Sequence, residues 1–370
     1  MRKFSICFIF IVLLFSLSMT GCGKNNSTNY TTVTVDPGNV IYYGNTNDGG
    51  AVPIDDNDYE IGDIVTVKHN ENYLVKDFKK FTGWNTQSDG SGDSYQPEDN
   101  ITVEDENNIE LYAQWENCPY KISSGGEILD YDLSSGSDVS IPEEIGEVPI
   151  TIIGNSAFQN KSLTSVNIHT SITAIGNNAF LNNNLTTLTI PNNVDSIGDN
   201  AFASNTLTSI DLPDTIDNLG IGAFQYNSLT TVEIPQGIDT IPNYLFQNND
   251  ITDLVIPDNI LYIGDQAFWE NDISNLTLSN NLITIRMGAF GNNLLTTVTF
   301  PSSLETIEAN VFQESVITEV EIGASVNINS ATDTMGDYGE DFFNFYDSNG
   351  KIGGVYQYNS GSWEYIGAGD

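Results

Sequence analysis

Basic residues are scarce in this chain of 370 residues, with 11 Lys and Arg against 50 Asp and Glu and a formal net charge of −39. A surface with this charge repels phosphate backbones and anionic lipid headgroups, so we expect no nucleic-acid partner. The acidity is typical of a well-solvated exported protein. The alternative explanation of the acidity is binding of a cationic or calcium-bridged partner.

Histidine is nearly absent, since only His69 in a charged turn and His169 at a predicted strand end occur. Neither has a Ser or Cys nucleophile motif beside it, and hydrolytic chemistry needs a nucleophile, a base and an orienting group in one pocket. The chain has too few His and Cys residues to form a metal site from these ligands. The sequence therefore predicts a protein that is not an enzyme and has no metal or cofactor. An unrecognised carboxylate site is the distant alternative.

Long apolar runs occur only at the start of the chain, where residues 6–17 follow a short basic segment. About a dozen apolar residues fit a secretory leader better than a membrane span. The segment that ends in Gly21-Cys22 resembles a bacterial lipobox, although Met19 stands where Leu is usual. The resemblance implies cleavage before Cys22 and lipid attachment to Cys22. An ordinary signal peptide with a chance cysteine is the alternative.

The start of the chain is therefore divided into a leader, residues 1–21, and a lipidated cysteine with a polar tether, residues 22–30. We expect the protein to be exported and held at the bacterial cell surface by its membrane-inserted lipid. Cys7 leaves with the leader and Cys22 carries the lipid, so Cys118 has no partner. An exported chain without disulfides has to be stabilised by its own core.

A period of 22 residues fills the second half of the chain. Eight phenylalanines recur at this spacing without a slip: Phe158, Phe180, Phe202, Phe224, Phe246, Phe268, Phe290 and Phe312. Columns of Leu, Ile and Val keep step with them, and Leu188 and Ile190 show the alternation of a strand. An Asn column, which begins at Asn183, suits turns. One coil cannot bury its apolar side alone, so the sequence predicts eight stacked coils over residues 148–323.

The repeated pattern resembles the BspA-type leucine-rich repeats of bacterial surface proteins. The residues that carry the resemblance are Gly176-Asn177-Asn178-Ala179-Phe180 and Leu185-Thr186-Thr187-Leu188-Thr189-Ile190-Pro191. The resemblance implies a leucine-rich-repeat solenoid, mainly β with short helical or irregular segments, and a role in adhesion or ligand capture. Departures at Pro242 and Leu245, and at Arg286 and Glu308 where Gly is usual, predict locally altered turns.

Both ends of a solenoid need caps, because open ends expose apolar surface and strand edges. We assign residues 118–147 to an N-terminal cap and residues 324–370 to a C-terminal cap. In the C-terminal cap, strand-like residues 355–358 and 363–365 predict a closing hairpin.

Residues 31–117 lack the 22-residue period and form a separate module. Strands are predicted at residues 31–35, 64–67, 81–84 and 109–115, between Gly- and Asp-rich turns. The strings Phe81-Thr82-Gly83-Trp84-Asn85-Thr86 and Leu111-Tyr112-Ala113-Gln114-Trp115 resemble the internalin-type B-repeat, also called the Listeria–Bacteroides repeat. The resemblance implies a small ubiquitin-like, β-rich module that serves as a spacer or an interaction module.

Two features outside the repeats have a functional and a structural interpretation. The loop at residues 89–93 offers oxygen ligands for calcium but lacks the EF-hand spacing and the final Glu, so a structural turn is favoured. Trp84, Trp115 and Trp363 have the aromatic surface that stacks on sugars. Core positions are favoured for all three, because small modules need large core residues.

The best candidate for a ligand surface is the polar side of the strand stack, formed by the residues two and four after the Leu or Ile anchor of each coil. The first column is Ser165, Thr187, Ser209, Thr231, Asp253, Asn275, Thr297 and Glu319. The second column is Asn167, Thr189, Asp211, Glu233, Val255, Thr277, Thr299 and Glu321. The columns differ between coils, as a binding face requires, although Ser and Thr are also good strand surface residues. Lys161 and Arg286 are the only basic residues between 151 and 322, so a partner should tolerate or favour negative charge.

The sequence thus predicts a monomeric, non-enzymatic lipoprotein of the bacterial cell surface. Its solenoid is expected to bind a protein or glycan of a host or a neighbouring cell. A structural envelope or spacer protein without a dedicated ligand is the alternative.

Overall fold

The computed structural model describes residues 38–328 and 339–368 of the chain. Strands dominate this part, together with one α-helix and one short 3₁₀ turn, so the predicted mainly β class is confirmed. Across these residues no helix has the length and apolar character that crossing a membrane requires. The strand predicted at 31–35 and the proposed lipid attachment at Cys22 lie outside the described residues.

The N-terminal module is a four-stranded sheet beside a two-stranded ribbon. Its strands are β1 (Val40–Tyr43), β2 (Ile64–Thr66), β3 (Lys79–Asn85), β4 (Ser94–Tyr95), β5 (Asn100–Thr102) and β6 (Ile109–Asn117). The sheet has the order β1-β6-β3-β4, with β1 parallel and β3 antiparallel to β6, and β2 pairs with β5. The strands predicted at 64–67, 81–84 and 109–115 are therefore present as β2, β3 and β6.

Trp84 lies at the centre of the module core. Its side chain is 1% exposed, and its Nε1–H donates to the carbonyl oxygen of Lys68 at 2.9 Å. The rings of Tyr42 and Phe81 pack edge-on against it, with centroids 4.7 and 5.1 Å away. Trp115 is only half-buried, and its Nε1–H donates to the carbonyl oxygen of Gly44. The core interpretation thus holds for Trp84 and in part for Trp115.

Residues 120–328 form the solenoid and the hairpins at its start. The strands are β7 (Tyr120–Ile122), β8 (Glu127–Tyr131), β9 (Asp138–Ser140), β10 (Glu144–Ile145), β11 (Val148–Pro149), β12 (Ile152–Ile153), β13 (Ser165–Asn167), β14 (Ala174–Ile175), β15 (Ser196–Ile197), β16 (Asn218–Leu219), β17 (Thr240–Ile241), β18 (Asp253–Val255), β19 (Tyr262–Ile263), β20 (Asn275–Thr277), β21 (Thr284–Ile285), β22 (Thr297–Thr299), β23 (Thr306–Ile307), β24 (Glu319–Ile322) and β25 (Asn327–Ile328). A 3₁₀ turn spans Leu133–Ser135.

The coils present strands on two sides of the solenoid. One side, the lateral sheet, consists of β8, β12, β14, β15 and β16 and, after a break, of β17, β19, β21, β23 and β25. The other side, the strand face, consists of the pairs β9 with β13, β18 with β20 and β22 with β24. Paired residues of neighbouring repeats are 22 positions apart, as in Ile153 opposite Ile175. The period of the sequence is thus the period of the coils, and the predicted solenoid is confirmed.

The Phe column fills the space between the two sides. All eight rings are fully buried, and neighbouring rings stack almost parallel with centroids 5.0–5.8 Å apart. Next to the rings, Asn205 Nδ2 donates to the carbonyl oxygens of Phe202 in its own coil and Phe180 in the preceding coil, both at 3.0 Å. Its Oδ1 accepts the N–H of Leu185 at 3.1 Å. The Asn column therefore satisfies buried turn backbone, as predicted, and it also connects the coils.

The strand face is not one continuous sheet, and the alternation seen at Leu188 and Ile190 does not produce a paired strand in three of the coils. No strand forms at residues 187–189, 209–211 or 231–233 of the described chain. Distances between coils lengthen there, since Thr208 N lies 3.4 Å from Thr186 O and Thr230 N lies 3.3 Å from Thr208 O. The backbone bonds between these coils are thus longer on the strand face than between β14, β15 and β16 of the lateral sheet, where Gly198 N and Gly220 N lie 2.8 and 2.7 Å from their acceptors.

A helix and a hairpin close the C-terminal end: α1 (Gly339–Ser348), β26 (Gly354–Asn359) and β27 (Ser362–Gly367). β26 pairs antiparallel with both β24 and β27, so the hairpin covers the last edge of the strand face. The rings of Tyr356 and Trp363 meet Phe342 of the helix edge to face. The predicted hairpin is present, Trp363 is a core residue, and α1 was not predicted.

The N-terminal module is packed against the start of the solenoid. Val75 belongs to the same buried cluster as the first coils, and Lys121 Nζ lies 2.6 Å from Asp77 Oδ2. The turn Gly146-Glu147, between β10 and β11, has φ angles of 59° and 67° and the geometry of a tight I′ hairpin. This turn inserts against the module, where Asn70 Nδ2 donates to the carbonyl oxygen of Gly146 at 3.1 Å.

Candidate ligand-binding face

The two predicted columns lie on the outside of the strand face. The exposed members of the first are Ser165, Thr187, Ser209, Thr231, Asp253, Asn275 and Thr297, and those of the second are Asn167, Thr189, Asp211, Glu233, Val255, Thr277 and Thr299. The residues between the columns, such as Leu188, Leu254 and Val298, are buried. Alternation along an extended chain thus presents the columns to solvent even where the strand pairing is lost. Ligand binding by this face stays a prediction.

Polar side chains of neighbouring coils are connected across the face. Asn275 Nδ2 donates to Asp253 Oδ1 at 2.7 Å, and the hydroxyl of Thr252 donates to Asp253 Oδ2 at 2.9 Å. Near the N-terminal end, the hydroxyls of Thr164 and Ser165 donate to Asp138 Oδ1 at 2.8 and 2.9 Å. These bonds hold the pKa of the Asp138 carboxyl below its ordinary value. The face therefore carries carboxylates in fixed positions, which lowers the entropic cost of binding a partner.

The charge on this face has one sign. Asp211, Glu233 and Asp253 are exposed carboxylates, and neither column contains a basic residue. Val255 is 63% exposed and forms an apolar spot beside Asp253. A partner with hydrogen-bond donors around an apolar group would be complementary to this arrangement.

The C-terminal end of the predicted face is covered. Glu319 and Glu321 are only half-exposed, because β26 pairs with their strand. Gln357 Nε2 donates to Glu319 Oε2 at 2.6 Å. The closing hairpin therefore covers Glu319, and the open face ends at Thr297 and Thr299. The repeat pattern contains no signal for the hairpin that follows it, which is why the sequence analysis included Glu319.

Both histidines contact carboxylates. His69 Nε2 and Nδ1 lie 3.4 Å from Glu98 and 3.3 Å from Glu147, and His169 Nε2 lies 2.8 Å from Glu143. The hydrogen bond that His69 makes to Glu98 raises the pKa of His69 above its ordinary value; burial opposes this shift, and the negative charge of Glu147 adds to it. Ser171 is a further partner of His169, since its N–H donates to Nδ1 at 3.1 Å and its Oγ lies 3.1 Å from the same nitrogen. The Ser171 hydroxyl also donates to the carbonyl oxygen of Ile150 at 2.8 Å.

The oxygen atoms of the loop at residues 89–93 accept hydrogen bonds from nearby protein groups. Asp89 Oδ1 accepts the N–H and the hydroxyl of Ser91 at 3.0 and 2.6 Å, and these bonds lower the pKa of Asp89. The buried Asn85 donates to the carbonyl oxygens of Gly90 and Gly92. In residues 38–328 and 339–368, no group of three or more His, Cys, Asp or Glu is placed to hold a metal ion. The geometry supports a structural turn.

A cavity that the sequence analysis did not predict lies on the lateral sheet, at the break between β16 and β17. Its volume is about 660 Å³, and its lining includes Asp217, Asp239 and Asn259. The signal in the sequence was Pro242, which stands in a column where Gly220 and Gly264 precede and follow it. From the sequence alone, this proline predicts only an altered turn.

The repeats match the family model for the BspA type leucine rich repeat region over residues 151–273 and 261–333, in six copies. Together with the observed coils, this match shows that the repeat region is a leucine-rich-repeat solenoid of the BspA type. The resemblance of the repeats noted in the sequence is therefore confirmed. The resemblances of residues 31–117 to a B-repeat and of the first residues to a lipoprotein leader stay predictions.

Two curated relatives come from Evansella cellulosilytica. One, described as a Gly-rich membrane protein, is 35% identical over 125 residues, which is 32% of this chain and 14% of that protein. The other, described as a membrane protein, is 35% identical over 100 residues, or 27% of this chain and 15% of that protein. The chain thus spans about one seventh of the length of the curated relatives that it matches.

Solved structures that match this chain in part include a leucine-rich repeat protein from Bacteroides ovatus. It has a TM-score of 0.45 and 21% identity, over 55% of this chain and 62% of that chain. The pneumococcal vaccine antigen PcpA has a TM-score of 0.37 and 17% identity, over 59% of this chain and 72% of that chain.

Proposed function

We propose that the protein is a non-enzymatic binding protein of the bacterial cell surface that captures a protein or glycan through its strand face. The observation that carries this proposal is the double column of exposed side chains, from Ser165 to Thr299, whose identity changes from coil to coil. A stacked solenoid fixes these side chains on a rigid support, because each coil is bonded to its neighbours. Surface-bound capture is also a common role of BspA-type repeats.

The central part of the strand face is the best candidate contact area. Asp253 is fixed by Asn275 and Thr252, and the exposed Val255 lies two residues further along the same strand. This group combines a fixed charge, an amide and an apolar contact within two coils. Such a combination suits recognition of a partner with a cationic or donor-rich patch and an apolar anchor.

Attachment to a membrane through Cys22 is the second part of the proposal, and it rests on the lipobox resemblance. Changing Cys22 to Ala should release the protein from the membrane fraction into the medium or periplasm. Retention of the Cys22→Ala protein in the membrane fraction would count against lipid anchoring. The names of the Evansella relatives support a location at a membrane.

Binding is tested with the protein lacking its predicted leader, residues 23–370, on a panel of matrix proteins, glycans and neighbouring bacterial cells. A saturable partner should bind roughly tenfold more weakly when Asp253→Ala and Asn275→Ala are combined, since a charge-assisted contact is lost. The matched control combines Asp272→Ala and Asn192→Ala, which remove the same two groups from exposed positions off the strand face. Equal weakening by both pairs would exclude the strand face as the site.

The alternative is a spacer without a ligand. Its signature would be the absence of saturable binding across the panel, with full export and normal folding of the protein. A broad hydrolase screen tests the carboxylate-enzyme alternative, and turnover that a point substitution abolishes would overturn the non-enzymatic proposal.

A further inference from the structure

The lateral sheet is interrupted between β16 and β17, where a proline stands at a position that donates a hydrogen bond in other coils. At this rung of the other coils, a backbone N–H donates to the preceding coil: Gly220 to Ile197 O at 2.7 Å, and Gly264 to Ile241 O at 2.9 Å. Pro242 occupies the equivalent position and has no N–H to donate. The carbonyl oxygen of Leu219 is therefore left without the bond that completes the ladder elsewhere.

A second rung of the ladder is missing beside the first. Asp217 N–H donates to Asp195 O at 3.1 Å, and Leu261 N–H donates to Asp239 O at 2.8 Å. Within residues 120–328, the corresponding bond between Asp239 N–H and Asp217 O does not form. The carbonyl oxygens of Asp217 and Leu219 thus lack the N–H donors that the equivalent carbonyl oxygens of neighbouring coils receive.

A side-chain contact between the coils is also missing at this point. At the position of Gly237, the neighbouring coils carry Thr215 and Asn259, whose side chains donate to the carbonyl oxygens of Val194 and Ile238. Gly237 has no side chain to make such a bond. The ring centroids of Phe224 and Phe246 lie 5.8 Å apart, the largest spacing in the Phe stack. The solenoid stays closed at the Phe column and opens on the lateral side.

The cavity at the break is rich in acceptors. Asp217 and Asp239 line it and take part in no ion pair among the described residues. Asn259 lines the same cavity, and its Oδ1 is buried without a hydrogen-bond partner. A buried acceptor without a donor is unfavourable and rare in folded proteins. What the lining lacks is a donor with positive charge.

We propose that this break, hereafter the ladder gap, binds the cationic side chain of a peptide ligand, the ammonium of a lysine or the guanidinium of an arginine. Such a group supplies three or five N–H donors, which can replace the missing ladder donors. The carboxylates of Asp217 and Asp239 neutralise its charge. A volume of about 660 Å³ also leaves room for the peptide on either side of the side chain.

Arg286 limits where the cation can lie. An adjoining cavity of about 370 Å³ shares Thr240, Pro242 and Asn243 with the ladder gap and carries Arg286 on its wall. This positive charge repels a second cation and directs the ligand's cationic group toward Asp217 and Asp239. The ladder gap lies on the lateral sheet and not on the strand face, so the proposal stands independently of the proposed function.

The test uses residues 23–370 and a capped five-residue peptide, four glycines around one central lysine, in isothermal titration calorimetry at about 150 mM salt, where long-range attraction to the acidic chain is screened. The control peptide carries acetyl-lysine, which has the same shape without the charge. We expect saturable one-site binding of the lysine peptide and none of the acetylated peptide. Asp217→Asn and Asp239→Asn should each weaken binding roughly tenfold.

Pro242→Gly is the decisive variant, because it leaves the net charge unchanged and restores the residue found in the neighbouring coils. It should close the ladder and abolish saturable binding, while circular dichroism and the melting curve show an intact fold. Asp250→Asn and Asp272→Asn, exposed carboxylates away from the ladder gap, form the matched control and should leave binding unchanged.

Three results would overturn the proposal: undiminished binding by the Pro242→Gly protein, equal weakening by the Asp250→Asn and Asp272→Asn pair, or saturation of the site by calcium alone with loss of peptide binding. If Pro242→Gly fails to fold, the comparison of the two Asp→Asn pairs decides. Asp253→Ala and Asn275→Ala on the strand face should not affect the lysine peptide. Failure of the ladder gap and failure of the strand face as binding sites are therefore separable.

Discussion

Glu147 Oε2 accepts the backbone N–H of Asn70 at 2.8 Å, across the junction between the N-terminal module and the solenoid. Asn70 is 1% exposed, and Glu147 holds a φ of 67°, a left-handed conformation that is uncommon for residues other than glycine. The turn is thus somewhat strained, and it positions the Glu147 carboxylate to accept a hydrogen bond from the buried Asn70 amide. The contact couples the two units and holds the module at one end of the solenoid.

Glu147→Gly should uncouple the two units. Glycine suits the left-handed turn, so the change removes the carboxylate without adding strain, and it leaves the buried Asn70 N–H without a partner at a cost of about 1–3 kcal/mol. We expect faster hydrogen exchange at Asn70 and an earlier melting step for the module. Glu144→Gly, in the same hairpin but exposed, is the control. Unchanged protection of Asn70 in the Glu147→Gly protein would show that this contact does not couple the units.

The same junction should respond to pH through His69. Its pKa is raised by Glu98 and Glu147, so the protonated form stabilises the folded state. This contribution is fully present below the ordinary value of 6.5 and is lost as the pH rises through the raised pKa. We expect the melting temperature to fall between pH 5.5 and pH 8, and to fall less in a His69→Gln protein.

An NMR titration of the His69 ring checks the direction of the shift, with His169→Gln to assign the two signals. A midpoint at or below 6.5 for His69 would contradict the prediction. Because the His69 side chain is about half exposed, the effect on stability should be small.

The Asn column should be the most sensitive polar feature of the solenoid. Asn227 Nδ2 donates to Phe202 O and Phe224 O, both at 3.1 Å, and its Oδ1 accepts the N–H of Leu207. Asn227→Ala leaves these buried backbone groups unpaired, so we expect a loss of about 3 kcal/mol in the free energy of unfolding. Urea unfolding measures the loss. Asn192→Ala, at an exposed position of the same solenoid, should change the free energy by no more than about 0.5 kcal/mol. A similar effect of both changes would exclude the proposed role of the column.

Repetition made much of the fold predictable. Phe180 and Asn183 recur in the same register in neighbouring coils, so one coil's local chemistry predicts the environment of the next. The exposure of Thr187 and Asp253 followed from alternation alone. The family match over the repeats confirms the same inference.

Features that depend on contacts between distant segments were not predicted. Glu319 has the spacing of a face residue, but β26, almost 40 residues later, covers it. The Asn70–Glu147 contact joins two units whose sequences carry no common signal. Pro242 was visible in the sequence, yet its effect required knowing that the equivalent residues, Gly220 and Gly264, donate an N–H to the preceding coil. Periodicity therefore predicts the coils, whereas the structural consequence of the exceptions appears only in three dimensions.

Cys118 should be an unreactive thiol in the folded protein. It is half-buried at the junction, where its N–H donates to Phe78 O, and burial raises the pKa of the thiol above its ordinary value, against smaller effects of the Tyr120 backbone and Lys80. Less thiolate is then present near neutral pH, and the thiolate is the reactive species. We expect residues 23–370, in which Cys118 is the only cysteine, to react with a disulfide reagent at pH 8 roughly tenfold or more slowly than a cysteine peptide. Unfolding in guanidinium should restore the rate of the peptide, and the Glu147→Gly protein should react at an intermediate rate if the junction opens as a unit. Equal rates for the folded protein and the peptide would show that the junction does not shield the thiol.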